Sequence, residues 1–179
     1  MPRSRQALSN PFTAALRLLA RRAYSIAAMR RALTRRSDST EAVEEAIARL
    51  RQLGYLDDQK FAEQQAGALR RNRGFGARRI VRELKAKGVN YRFINAAVEQ
   101  AFQEVGEREL LEQALTKKVR NLRLPLTRSR LNSLCRSLLR QGFPGDDIMK
   151  AVRARPELRP VSEEVSVLDM EEEAGGSEL

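Results

Sequence analysis

Seven cations stand within the sixteen residues from Arg70 to Lys85: Arg70, Arg71, Arg73, Arg78, Arg79, Arg82 and Lys85. Such side chains carry fixed positive charge and donate hydrogen bonds without accepting them. The chemistry they offer is recognition of phosphate or carboxylate, not proton transfer. Arg78, Arg82 and Lys85 are spaced i, i+4 and i+7, which puts three charges on one side of a helix. Ala77, Ile80 and Leu84 recur at helical spacing on the other side and are expected to face a core. Gly74-Phe75-Gly76 separates this helix from the one ending in the Arg70–Arg73 cluster. Gly76 offers a tight start, Gly88 suits a left-handed helix end, and helix amides at such a start can hold an anion. A basic helix that merely faces solvent would carry the same stripe, so the rest of the chain decides between the two readings.

Enzyme chemistry finds few groups to use. The chain has no His, so Ser-His and Cys-His dyads and imidazole metal sites are excluded. The Gly74–Arg79 stretch lacks the Lys-Ser/Thr ending of a phosphate-binding loop and sits between helices, not after a strand. Asp57-Asp58 and Asp146-Asp147 stand at helix starts, where capping is the economical role for a carboxylate. The single Cys, Cys135, lies among Leu131, Leu134, Leu138 and Leu139 and reads as a small core residue in a reducing cytoplasm. No enzyme activity, catalytic residue, cofactor or metal is expected. No apolar run reaches membrane-spanning length. Residues 1–37 contain no acid and superficially imitate a transit peptide, but they also fit an internal repeat.

Charge is unevenly spread. Residues 157–179 hold one Arg against eight acids, and their net −7 within a total of +11 leaves +18 on residues 1–156. A body that basic expects a polyanionic partner. Ala77 to Lys87 offers Arg, Lys and Glu but no Asn, Gln, Ser or Thr to read base edges, so its chemistry suits phosphates without sequence readout, or an acidic protein groove.

Rich in Ala, Leu, Arg, Glu and Gln and poor in aromatics, the chain reads as all-α. Helices are expected from Phe12 to about Arg22, and from a Ser25 cap along Met29 and Leu33. A third is expected after an Asp38/Glu41 capping box, along Val43, Ile47 and Leu50. A fourth follows Asp57-Asp58, and Asn90 caps a helix bearing Ile94, Val98 and Phe102. Three more are expected from Glu107, from Arg128 to Gln141, and from Asp146 to about Arg155. Superposing the breaks gives one unit three times. Met29, Leu33, Ser37, Val43 and Ile47 match Ile80, Leu84, Gly88, Ile94 and Val98 at an offset of 51, and those match Leu134, Leu138, Gly142, Ile148 and Val152 at an offset of 54. The reading is three tandem three-helix repeats, 12–54, 55–106 and 107–155, forming an elongated, curved body that shares apolar surface between neighbours. A flexible basic arm, 1–11, precedes them and an acidic, disordered tail, 156–179, follows.

Several stretches resemble one family. The join Leu53-Gly54-Tyr55-Leu56-Asp57-Asp58 leading into Phe61-Ala62 is similar to that of the RecX regulatory proteins of bacteria. So are the basic helix end, Gly76 and the run Ile80…Leu84…Lys87-Gly88-Val89. The resemblance covers roughly 12–155 and is densest at 43–102. In the third repeat Pro144 stands where the polar cap Asn90 stands in the second, and the acidic extension has no counterpart. The resemblance implies a regulator in recombination, DNA repair and the SOS response; separately, a cytoplasmic location and a monomer are expected. It would bind RecA in the groove of the RecA–single-stranded DNA filament and restrain filament growth, ATP hydrolysis and strand exchange. The alternative is a sequence-independent DNA-binding protein acting without RecA, and weak direct DNA binding is compatible with both. The seven cations named above are the expected partner or nucleic-acid contacts.

Overall fold

Helix-forming composition and three lines of apolar residues at a 3.6-residue period produce a chain of α-helices. A computed structural model describes residues 10–160, and among these there is no strand. The elements are α1 Pro11–Leu19, α2 Ile26–Thr34, α3 Thr40–Gln52, α4 Asp58–Arg73, α5 Ala77–Ala86, α6 Tyr91–Ala101, α7 Glu107–Val119, α8 Arg128–Gln141 and α9 Gly145–Arg153, followed by a 3-10 turn at Pro156–Leu158. They fall into two units, one ending at Gly106 and the other starting at Glu107.

Three buried clusters form, each from three successive helices. Ala15, Met29, Leu33, Val43, Ile47 and Leu50 build the first, with Leu56 added from beyond α3. Phe61, Ala66, Ile80, Leu84, Ile94 and Ala97 build the second. Leu111, Leu115, Leu134, Leu138, Ile148 and Val152 build the third. The apolar positions aligned across the repeats are therefore buried, with Val98 packed at the margin of its cluster. Ile80 and Leu84 are fully buried as expected, while Ala77 is only half-buried.

The ends differ from expectation in physically instructive ways. The first helix starts one residue early because Pro11 suits a first helical position, and the Asn10 side chain accepts from the Phe12 amide at 2.9 Å. It stops at Leu19, short of Arg22. The cap of α3 is Ser39, not Asp38: its hydroxyl accepts from the Ala42 amide at 3.1 Å and donates to Glu41 at 3.1 Å. The sixth helix ends at Ala101, well before Gly106, and the ninth at Arg153. Arg155 instead donates to Glu112 at 3.0 Å and Thr116 at 2.8 Å, tying the segment after α9 to α7. Beyond Pro156, Leu158 is buried in the third cluster. The remainder of the acidic segment, 161–179, and residues 1–9 of the basic arm lie outside the described residues.

Within the first unit, the two buried clusters are separate, and polar contacts join them. Ser25 caps α2 by accepting from the Ala28 amide at 3.1 Å, and its hydroxyl donates to the Lys87 carbonyl at 2.6 Å. The Asp pair before α4 divides its work. Asp57 caps its own helix, accepting from the Gln59 and Lys60 amides, while Asp58 accepts from the Ile26 amide at 2.8 Å. Gly88 lies between, at φ +78°, and a Cβ built there would stand 2.5 Å from the Ala27 Cβ. Both its conformation and its neighbour demand glycine.

Two substitutions probe this packing. Leu84→Ala should destabilise the fold by about 2–5 kcal/mol, read as a large drop in melting temperature. Burial pushes the Asp58 carboxyl above its ordinary value, against the opposing pull of the Ile26 amide, and neighbouring Asp57 raises it further. The stability tied to this group is then fully present below the unfolded value and lost as pH rises through the folded one. Asp58→Asn keeps an oxygen for Ile26 and removes that loss. Its stability relative to the parent, from urea melts, should improve upward from about pH 4, the usual Asp range.

Candidate functional site

The expected stripe is real as geometry. α5 buries Ile80 and Leu84, and this rotation leaves Arg78, Arg82 and Lys85 exposed on its outer side. Among the described residues neither Arg78 nor Arg82 forms an ion pair. Lys85 holds its Nζ 5.3 Å from the centre of the Tyr91 ring, which is 52% exposed. The Tyr91 side chain beside it raises the Lys85 pKa, so the ammonium stays charged at any physiological pH.

The other four cations divide. Arg79 is half-buried and committed to its own helix: Nε and Nη2 donate to Glu83 Oε1 at 2.9 and 2.8 Å, and the guanidinium lies 5.3 Å from the Phe75 ring. Arg71 and Arg73 are exposed on the last turn of α4, just before Gly74, whose φ of +62° ends that helix. The left-handed residue of the hinge is thus Gly74, while Gly76 is extended at φ −73°. Arg70 is buried and faces α6. The structure therefore groups Arg78, Arg82 and Lys85 on one face, places Arg71 and Arg73 at the preceding helix end, and separates Arg70 and Arg79 from both.

Sequence reasoning passed over two residues. Arg31 and Arg136 occupy the positions of Arg82 at the same offsets of 51 and 54, and both are exposed. Each stands two residues before a buried Leu of its module, Leu33 and Leu138. The repeat alignment already contained this signal, since the offsets fix polar positions as well as apolar ones. Arg31 also reaches the Ala86 carbonyl at 3.4 Å. Among the described residues no group of three His, Cys, Asp or Glu could hold a metal, and no helix is long and apolar enough to cross a membrane.

Family models match two stretches: RecX, first three-helix domain, over 12–50, and RecX, second three-helix domain, over 57–98. A regulatory protein RecX from Stenotrophomonas maltophilia is 31% identical over 162 residues, spanning 82% of this chain and 88% of its own. The chain belongs to the RecX family. Another RecX regulatory protein, from Trichlorobacter lovleyi, is 38% identical over 93 residues, or 52% of this chain and 60% of that relative. The crystal structure of RecX from Lactobacillus salivarius superposes with a TM-score of 0.67 at 19% identity, covering 82% of this chain and 95% of that one, and so shares the fold. The all-helical fold and the RecX resemblance expected from sequence both hold, and the family is one of regulatory proteins.

An exposed stripe can be reversed without unfolding its helix. Arg78→Glu, Arg82→Glu and Lys85→Glu together should leave the melting temperature nearly unchanged. Binding to a single-stranded oligonucleotide, followed by anisotropy, should weaken, with the salt slope flattened by about 0.7–0.9 log units for each phosphate no longer neutralised. An unchanged slope would mean the stripe touches no phosphate.

Proposed function

We propose that this protein binds RecA in the groove of the filament that RecA forms on single-stranded DNA. Bound there, it restrains filament growth, ATP hydrolysis and strand exchange. The observation that carries the reading is the exposed cationic face of α5, presented by a member of a regulatory family. Three fixed charges without a base-reading amide or hydroxyl suit a surface of regular negative charge, whichever sequence lies beneath it. The seven cations differ, and Arg70, buried and turned toward α6, takes no part in this contact. Arg78, Arg82 and Lys85 make the main contact and Arg71 and Arg73 extend it, while Arg79 serves α5 through Glu83. The protein works in the cytoplasm as a monomer, without cofactor or catalytic step.

Sequence-independent DNA binding without RecA is the second reading. The exposed Tyr91 beside Lys85 favours it, because an aromatic face next to a cation can stack a base. RecA ATPase separates the two. Substoichiometric protein should slow ATP hydrolysis by filaments of RecA from the same organism, and the effect should persist with single-stranded DNA in excess, when sequestration of DNA no longer explains it. Inhibition abolished by excess DNA would establish the second reading instead.

A further inference from the structure

We propose that the cleft between α4 and α6 is a receptor for one acidic side chain of a protein partner, gripped by the Arg70 guanidinium. The recess holds about 240 Å³ and has small residues along it, Gly67, Ala97 and Ala101. Arg70 and Arg71 enter from α4, and Gln100 and Gln103 from α6 and its end, so donors converge from two sides.

Arg70 is the unusual member. It is only 9% exposed, and its Nε is buried without a hydrogen-bond partner among the described residues. Its Nη2 stands 3.9 Å from a carboxylate oxygen of Glu104, whose side chain is 88% exposed. At that separation the pair lacks a good hydrogen bond, and water competes for the acid. A guanidinium taken out of water with one edge unpaired is costly. In the structure that edge is closed to solvent, so an arriving carboxylate would displace Glu104 and open it, then accept side-on from Nε and Nη2 in two parallel bonds, the arrangement arginine makes best.

A single acid fits this place better than a nucleic-acid backbone. Glu63 and Glu104 also line the recess, and a strand carrying one charge per nucleotide would bring neighbouring phosphates against them. One carboxylate on a protein loop brings a single added charge near those two acids and has only the exposed Glu104 to displace. The cleft is thus separate from the α5 stripe in its chemistry. Taking the RecA filament as the source of that acid rests on the function proposed above, whereas the ligand class does not.

The test uses the full chain with labelled arginine. The Arg70 Nε–H resonance, assigned through its own side-chain carbons, is followed as sodium acetate, sodium chloride and a thymidine oligonucleotide are added at matched ionic strength. A saturable shift with acetate alone is expected. No shift with acetate, or a larger one with the oligonucleotide, overturns the proposal. In parallel, Arg70→Lys keeps the charge but not the two-point grip, and Arg70→Met serves if the lysine variant fails to fold. Affinity for RecA filaments should fall roughly tenfold, as for loss of a hydrogen bond to a charged group. Oligonucleotide binding should stay as in the parent. Unchanged filament affinity in a folded variant overturns the role of Arg70. If the parent itself does not bind filaments, the RecA reading fails, while the acetate titration still decides the cleft.

Discussion

A buried hydroxyl holds the first unit together. Ser25 is fully buried, and its oxygen both accepts from the first turn of α2 and donates to the carbonyl of Lys87, sixty-two residues away in sequence. Without it, one helix start and one helix end would both lose a partner, each an expensive orphan away from water. Around this bond the Asp58 carboxylate receives the Ile26 amide, and the backbone at Gly88 closes on Ala27. The register of α2 against the end of α5 follows from these contacts. Arg31 and Arg82, equivalent in their modules, are held in fixed relation as a result.

Much of the fold was legible because periodicity is a strong local signal. The lines through Leu33, Leu84 and Leu138 needed only helical spacing to be found, and all three residues are fully buried. Positions set by competition between similar side chains were harder. Asp38 and Ser39 are both good caps, and only the backbone path decides that Ser39 faces the Ala42 amide. Asp58 reads locally as part of a cap, yet its partner is thirty-two residues upstream, where no sequence pattern points. Leu158 was hidden by composition, because the acidic residues that follow it suggest solvent and its burial depends on the third cluster.

The binding surface was half legible, for a related reason. Charge is visible in sequence, but freedom of that charge is not. Arg78 and Arg79 are neighbours of one type, and the helix turns one outward and the other onto Glu83. Arg70 carried a quieter signal: it continues the i, i+4 line of Ala62 and Ala66, both fully buried, on the packed side of α4. A cation ending a line of small residues is more informative than a cation in a cluster.

Separate clusters joined by polar contacts also affect how the first unit responds to denaturant. Urea senses the surface released in a step, and parting the joint between α2 and the end of α5 releases little, because the apolar residues of each module stay inside their own three helices. Such an opening would carry a shallow denaturant slope and a small heat-capacity change, unlike the loss of either module. Hydrogen exchange at the Ile26 amide would therefore remain nearly constant through low urea, while exchange at amides inside α5 climbed steeply with it.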